Sequence, residues 1–544
     1  MRAVQHTLFL MIFFFGNLTL FSQNVLWEKS LGGKHIEYLT DAVPTADYGF
    51  ILAGSSLSDK TGKHEQINQG DYDFWIWKMD EFGDPVWQRS YGGNGLDLLK
   101  VMKKTPDGGF ILGGTSTSKT SGDKKEAGFA LEDLWIIKLN AAGDEDWQIT
   151  LGGLGADYLM SLEPTKDGGF VVGATSSSEA IDHKNGKSSA GFGGLDYWVI
   201  KLDKKGNIVW QKTFGGIFDD RLTAVVEYEL GKYVVAGTSN SSQSGNRREA
   251  LAGISDFWLV FLDENGAEEQ QISIGGDLED ELTTLLVSKD GSLVLGGNSN
   301  SDVSLKKRAE QKKGTDFWLV KMKTDGEILW QETYNIAHQD KLISMVENPD
   351  LSLVLSGYAV PKLTPNPKEI KGKKEKGEHD FCLIKTDGKG KELWRKIVGS
   401  DGTDRLHKTI ITRDGGYLLA GTSDGGRSKQ KSSESMATDF WVVKLKDEEK
   451  HEVERANGLE AFPNPASNFV NVIISFEYES GSTTLYNIQG TVLQKFNITD
   501  RTIPFDLSNY PAGVYIAEVN ALVLVEGKPE NRRETIKIMK SSNQ

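Results

Sequence analysis

Seven acidic residues fall at nearly regular intervals along this chain: Glu37, Asp97, Asp157, Asp220, Asp280, Asp340 and Asp404, each step about sixty residues. Carboxylates brought to one level by a repeating structure could act in three ways. Gathered around an axis, they would attract a cation or a basic ligand, so the seven are candidate binding residues. Set in pairs across a cleft, Asp and Glu could carry the acid–base work of a polysaccharide hydrolase or lyase. Short acidic side chains also accept hydrogen bonds from backbone amides of neighbouring turns, and a role repeated in every unit favours that bonding use. Other chemistry has no foothold. The sequence contains no His-Glu-x-x-His run, nucleophile elbow, phosphate loop or paired-cysteine metal spacing. Its eight histidines hold no fixed place in the repeat. No catalytic residue and no cofactor is expected.

The elements that must position these carboxylates recur with them. A second acidic series, Asp73, Asp133, Asp196, Asp256, Asp316, Asp380 and Asp439, opens segments of the type Asp73-Phe74-Trp75-Ile76-Trp77-Lys78-Met79. Each repeat reads as four short strands. The first follows the first acid, as at 98–103; the second is Gly-Phe-Ile-Leu-Gly-Gly or a variant; the third is the Asp-Phe-Trp segment; the fourth carries Trp87 or its equivalent. Aromatic and β-branched enrichment and Asp-Gly or Gly-Gly punctuation agree with that division. Four antiparallel strands in each of seven repeats predict an all-β, seven-bladed β-propeller. The third strand is apolar on both faces, which suits a strand sandwiched between neighbouring sheets. The Gly and Ala residues ending the second strand let adjacent sheets approach closely. All thirteen tryptophans fall in third or fourth strands and are expected in the core. Cys382 stands where other repeats carry Trp, so it is expected as a buried apolar substitute, and as the sole cysteine it can form no intrachain disulfide.

The phase of the repeat at its two ends predicts closure. The array opens with Leu26-Trp27-Glu28-Lys29-Ser30-Leu31-Gly32-Gly33, a fourth strand with no sheet before it, and the seventh repeat stops after the third strand at Trp441-Val442-Val443-Lys444-Leu445. The orphan strand should complete the unfinished sheet and remove exposed edges. The connections from second to third strand are long, at 57–72, 117–132, 177–195, 240–255, 300–315, 359–379 and 424–438, whereas the opposite face has only tight turns. Two long loops are basic: Lys306-Lys307-Arg308 with Lys312-Lys313, and the run from Lys371 to Lys376. Long loops on a rigid scaffold are where binding usually resides, though Lys- and Ser-rich loops are as readily solvated surface.

Composition bounds the partners. A formal net charge of −15 over 544 residues argues against nucleic acid, which is bound by concentrated positive charge. A basic start and a short apolar run ending near Ser22 predict a signal peptide at 1–22, and no segment is long enough for an integral membrane span. Residues 23–447 form the array and 448–458 a charged linker. Residues 459–544 lose the period and alternate like a small β-sandwich.

The terminal region carries Pro463-Asn464-Pro465-Ala466, Leu485-Tyr486-Asn487-Ile488-Gln489-Gly490, Leu507-Ser508, Ala512-Gly513-Val514-Tyr515 and Ile536-Lys537-Ile538-Met539-Lys540. These motifs resemble the type A C-terminal sorting domain of the type IX secretion system, with 522–533 as an enlarged final hairpin. The resemblance implies a cargo of the Bacteroidota that passes the periplasm and is recognised by the type IX machinery through Pro463, Asn464, Pro465, Gly490, Gly513 and Tyr515. It implies release from the cell or attachment to its outer surface. The repeats themselves resemble bacterial β-propeller repeats, a group tied to no single activity. The reading is therefore of a secreted or surface binding module, with a polysaccharide or an envelope protein as partner. The alternatives are the polysaccharide-active enzyme and a structural envelope component.

Overall fold

A computed structural model describes residues 24–544 apart from 141–142, 305, 312–313, 338, 361–378, 429, 448–457, 467–468, 526 and 542–544. The expected signal peptide, most of the linker, Lys312, Lys313 and the basic run from Lys371 to Lys376 lie outside the described residues. Among the described residues the structure is strand without helix, and no helix is long and apolar enough to cross a membrane.

The repeats form seven four-stranded antiparallel sheets. The second repeat shows the pattern, with strands Asp97–Lys104, Phe110–Ser116, Asp133–Leu139 and Glu145–Leu151 in spatial order. Every third strand is buried along its whole length, as its two apolar faces require. The chain's opening strand, Val25–Leu31, pairs antiparallel with Asp439–Leu445, placing Leu31 opposite Phe440 and Ser30 opposite Trp441. Glu28 fastens this seam by accepting hydrogen bonds from Trp441 Nε1 (2.8 Å) and the Ser432 amide (2.8 Å). The apolar cores lie between sheets, not within them. Each joins consecutive sheets, and one joins the seventh sheet (Leu418, Phe440, Val442) to the first (Leu52, Trp75, Trp77). The arrangement is propeller-like.

Recurring residues are explained by these junctions. Trp75, Trp135, Trp198, Trp258, Trp318 and Trp441 are fully buried, and Cys382 fills the same place in the sixth sheet. Gly114 leaves room for Phe74 of the preceding sheet, since a methyl there would sit 2.5 Å from the Phe74 ring. The lysine of the third strand pairs with an aspartate in the first tight turn: Lys78–Asp47 at 2.7 Å, Lys138–Asp107 at 2.9 Å and Lys201–Asp167 at 2.8 Å. The fourth sheet has Phe261 in place of that lysine, packed edge-on against Tyr228. A buried ammonium needs its counter-charge, so an apolar pair is the other stable solution.

Past the linker, Leu459–Phe462, Phe469–Ile474 and Thr502–Asp506 form one sheet. Val492–Asn497, Ser480–Asn487, Gly513–Val525 and Lys528–Lys540 form another, and one core that includes Val472, Leu485, Phe505 and Val519 lies between them. The last two strands make the enlarged hairpin, in register from Gly513 opposite Lys540 to Val525 opposite Lys528. This domain rests on the tight-turn face at the first and seventh sheets. Thr502 donates to Asp47 (2.7 Å), Arg501 faces Glu81 (3.7 Å) and Arg413 pairs with Glu460.

Candidate functional site

The seven acidic residues of the first series open the first strands of their sheets, Asp340 standing second in Gln339–Glu347, and all are fully buried at 0% exposure. Their oxygens are turned into the wall. Asp97 accepts from the Gly93 amide (2.8 Å) and the Ser118 hydroxyl (2.8 Å). Asp220 accepts from Gly216 (2.7 Å) and Ser241 (2.9 Å), and Asp280 from Gly276 (2.6 Å) and Ser301 (2.9 Å). Asp157 takes the Ser178 hydroxyl (2.8 Å), Glu37 the Ser56 hydroxyl (3.2 Å), Asp340 the Ile336 amide (2.6 Å) and Asp404 both amide and hydroxyl of Ser400. This bonding also accounts for the Gly-Gly motif. A methyl on Gly92 would lie 1.8 Å from Asp73 Oδ1, and one on Gly93 2.7 Å from Ser118 Cβ. In the seventh sheet the two partners are exchanged: Ser400 stands in the second glycine's place and Gly425 in the serine's.

Behind each first-series acid lies the second-series aspartate of the preceding sheet, also buried. Burial raises the first-series acids and, of the second series, Asp73, Asp133, Asp196 and Asp439, with Glu37, Asp73 and Asp133 pushed up to about 7 and Asp196 and Asp340 to about 6. A buried cation from the long loop faces most of these acids. Lys124 donates to Ser116 (2.6 Å) over the Trp135 ring, and Arg247 and Lys307 stack on Trp258 and Trp318 in the same way. Lys307, expected as a loop surface charge, is thus an internal one at 0% exposure. The first sheet has His64 on Trp75 instead, held well below the usual imidazole range at about 4 by burial.

Sequence reasoning missed a second ring. Every first strand has a β-bulge just after the leucine two residues past its acid, so one residue slips out of register. The residues displaced are Thr40, Lys100, Met160, Thr223, Thr283, Ile343 and His407, and all seven line one central cavity of about 1060 Å³. Bulges re-aim side chains in this way, often beside functional sites. The signal was present as buried residues three apart, Leu99 with Met102 or Leu159 with Leu162, where an unbroken strand would space them by two. None of the seven first-series carboxylates lines this cavity.

The cavity's charges are largely matched across neighbouring sheets: Lys408 with Asp41 (3.1 Å), Lys103 with Glu163 (2.5 Å) and Lys341 with Glu281 (2.5 Å). Lys100 stands on its bulge with no ion pair among the described residues. His407 has only a distant contact to the Thr422 hydroxyl (3.4 Å), and burial, helped by Lys100 and Arg405, lowers it to about 4, so it is neutral at pH 7. Among the described residues no group of three or more His, Cys, Asp or Glu side chains is arranged to hold a metal ion.

The terminal domain gathers its motif residues around the last strand. Asn464 donates to the Lys537 carbonyl (2.8 Å) and accepts from the Met539 amide (2.8 Å), acting as a side-chain rung between flanking Pro463 and Pro465. Gly513 pairs with Lys540, and Tyr515 donates to the Pro511 carbonyl. Lys540 donates to the carbonyls of Leu507 (2.6 Å) and Tyr510 (2.7 Å). Gly490, at φ +80°, closes the hairpin turn whose first residue, Asn487, pairs with Tyr515. Residues 460–525 match the family model for a secretion system C-terminal sorting domain. The chain carries a type IX sorting tail.

Other likenesses concern the repeats. A 220-residue stretch is 26% identical to the regulatory protein FlaEY of Caulobacter vibrioides, covering 38% of this chain and 23% of that relative's length. Among solved structures, the Pan2 WD40 domain of Neurospora crassa covers 74% of this chain and 88% of its own at 10% identity and a TM-score of 0.38. A protein of unknown function from Dyadobacter fermentans covers 78% and 99% at 9% identity and a TM-score of 0.39. The sorting tail marks the chain as secreted cargo, released or attached at the outer surface.

Proposed function

We propose that residues 23–447 are a closed seven-bladed β-propeller, joined by 448–458 to a β-sandwich sorting domain at 459–544. After a signal peptide at 1–22 takes the chain to the periplasm, the type IX machinery delivers it outward. There the ring serves as a binding module for a polysaccharide or another envelope protein. One observation carries this reading: wall positions repeat from sheet to sheet, whereas the seven bulge residues in the cavity are Thr, Lys, Met, Thr, Thr, Ile and His. A structural ring has no use for that diversity, while a ligand without sevenfold symmetry requires it. We assign the seven first-series carboxylates to clamping the sheet junctions. The docking of the tail on the tight-turn face supports binding through the opposite, long-loop face.

The test is capture by the chain spanning 23–544 on a glycan array and in pull-downs from envelope fractions. Retention of a polysaccharide or an envelope protein, lost when a long loop is shortened, is the expected result. Turnover of a polysaccharide without retention would replace the binding module with a hydrolase or lyase. Normal envelope phenotype after loop deletion would leave only a structural component.

A further inference from the structure

The bulge ring holds one cationic side chain with no ion pair among the described residues. Lys100 lines the lumen from its bulge, and no carboxylate among the described residues bonds to it. Asp41, the acid that acts on it through space, is committed elsewhere: it faces Lys408 (3.1 Å) and accepts the amides of Ala42 (2.9 Å) and Met102 (3.0 Å). Enclosure by the ring lowers the lysine's proton affinity, Asp41 opposing that effect through space. His407 and Arg405 on one side add no negative charge, and Lys103 beyond is already paired with Glu163. Lys100 is exposed to the lumen, where an ammonium with no counter-charge of its own attracts an anionic ligand.

The hydroxyls at the same level have a definite polarity. Thr40 donates to the Ala53 carbonyl (3.3 Å), Thr223 to Leu282 (2.8 Å) and Thr283 to Gly296 (3.3 Å). With their protons committed, these threonines offer the lumen only lone pairs, which are partners for a ligand's own O–H groups. The ring therefore presents one cationic donor and several neutral acceptors.

We propose that the bulge ring binds a small carboxylate, free or carried on an acidic sugar, with Lys100 as its counter-charge and the threonine oxygens receiving the sugar's hydroxyls. The volume of about 1060 Å³ admits one or two sugar rings. This inference deepens the binding reading given above and rests on it.

Titration calorimetry on the chain spanning 23–544 tests it with four probes: galacturonate, galactose, acetate and inorganic sulfate. Galacturonate is expected to bind, with galactose weaker by about tenfold or more, since the neutral sugar leaves Lys100 unanswered. Lys100→Met should cost galacturonate about tenfold or more in affinity, Lys100→Arg should retain most of it, and Lys341→Met, at a charge already paired, should change it by less than about twofold. Acetate binding as tightly as galacturonate would assign the site to a free carboxylate. Sulfate binding while both carboxylates fail, no binding of any probe, or unchanged binding by Lys100→Met would overturn the proposal. If Lys100→Met fails to fold, Lys100→Gln supplies the same comparison. Loss of the lumen site with polymer capture intact would leave the binding module standing on its long loops, so the two readings fail separately.

Discussion

Asp97 and Lys100 lie three residues apart on one strand, yet they belong to different parts of the molecule. The aspartate has an acidic counterpart in every sheet, is fully buried, and holds a Gly-Gly turn against a serine just past the next strand. The lysine sits on a bulge in the lumen, has no ion pair, and has Thr, Met, Ile or His as its counterparts. In a repeat protein the positions that recur are the ones each copy needs in order to pack on its neighbours. A site for an asymmetric ligand is written in the positions that do not recur. The comparison also reverses the intuition that a ring of carboxylates must be a ring of ligands.

The contrast between wall and lumen can be broken at several levels. The greatest effect should come from the seam: deleting 24–31 removes the fourth strand of the closing sheet and bares the Asp439–Leu445 edge. Cooperative urea unfolding should be lost, with aggregation on concentration, whereas a single sharp transition would disprove the role given to that strand. Asp97→Ala orphans the Gly93 amide and Ser118 hydroxyl and should cost about 2–4 kcal/mol in denaturant titration. Asp157→Ala should behave alike, because the two positions are equivalent.

The wall should also respond to pH. Glu37, Asp73 and Asp133 reach about 7 in the folded ring, against about 4 in an unfolded chain. A carboxyl raised on folding contributes stability that is complete below its unfolded value and is lost as pH rises through the folded one. The melting temperature should therefore fall between about pH 5 and pH 8, and Asp73→Asn should flatten that slope. A melting temperature that climbs over the same interval would contradict the assignment.

A smaller effect sharpens the account of the seventh sheet. Gly425→Ser alone places a side chain 2.0 Å from Ser400 Oγ, and Ser400→Gly alone removes a donor to Asp404. Made together, they restore the arrangement found at Gly93 and Ser118, so a double-mutant cycle should show about 1–2 kcal/mol of favourable coupling. Least of all, Lys100→Ala should change stability by no more than about 0.5 kcal/mol, since the lysine is bonded to nothing. A large loss there would make the lumen part of the scaffold.

Much of the scaffold was legible before any coordinates. The spacing of Asp73 and its equivalents marked the third strands, and the phase mismatch at the two ends of the array announced the pairing of the strands that carry Trp27 and Trp441. Those features are local or periodic, and periodicity survives in a one-dimensional string. The bulge is different, because it depends on the register between two strands and is flagged by neither Gly nor Pro; only Leu99 and Met102, both buried three residues apart, betray it. Lys307 was misread for a related reason. A Lys-Lys-Arg run looks like solvated loop until the indole of Trp318 is seen beneath the middle residue.

The seam between Val25–Leu31 and Asp439–Leu445 joins segments more than four hundred residues apart, so nothing translated before the last repeat can complete that sheet. The sorting domain is what emerges next, and it leans on Asp47, Glu81 and Arg413, turns that belong to the two sheets brought together by that late handshake. A passenger whose ends have not met would offer its own address label an incomplete seat. Placing the label there makes its seat depend on both ends of the array.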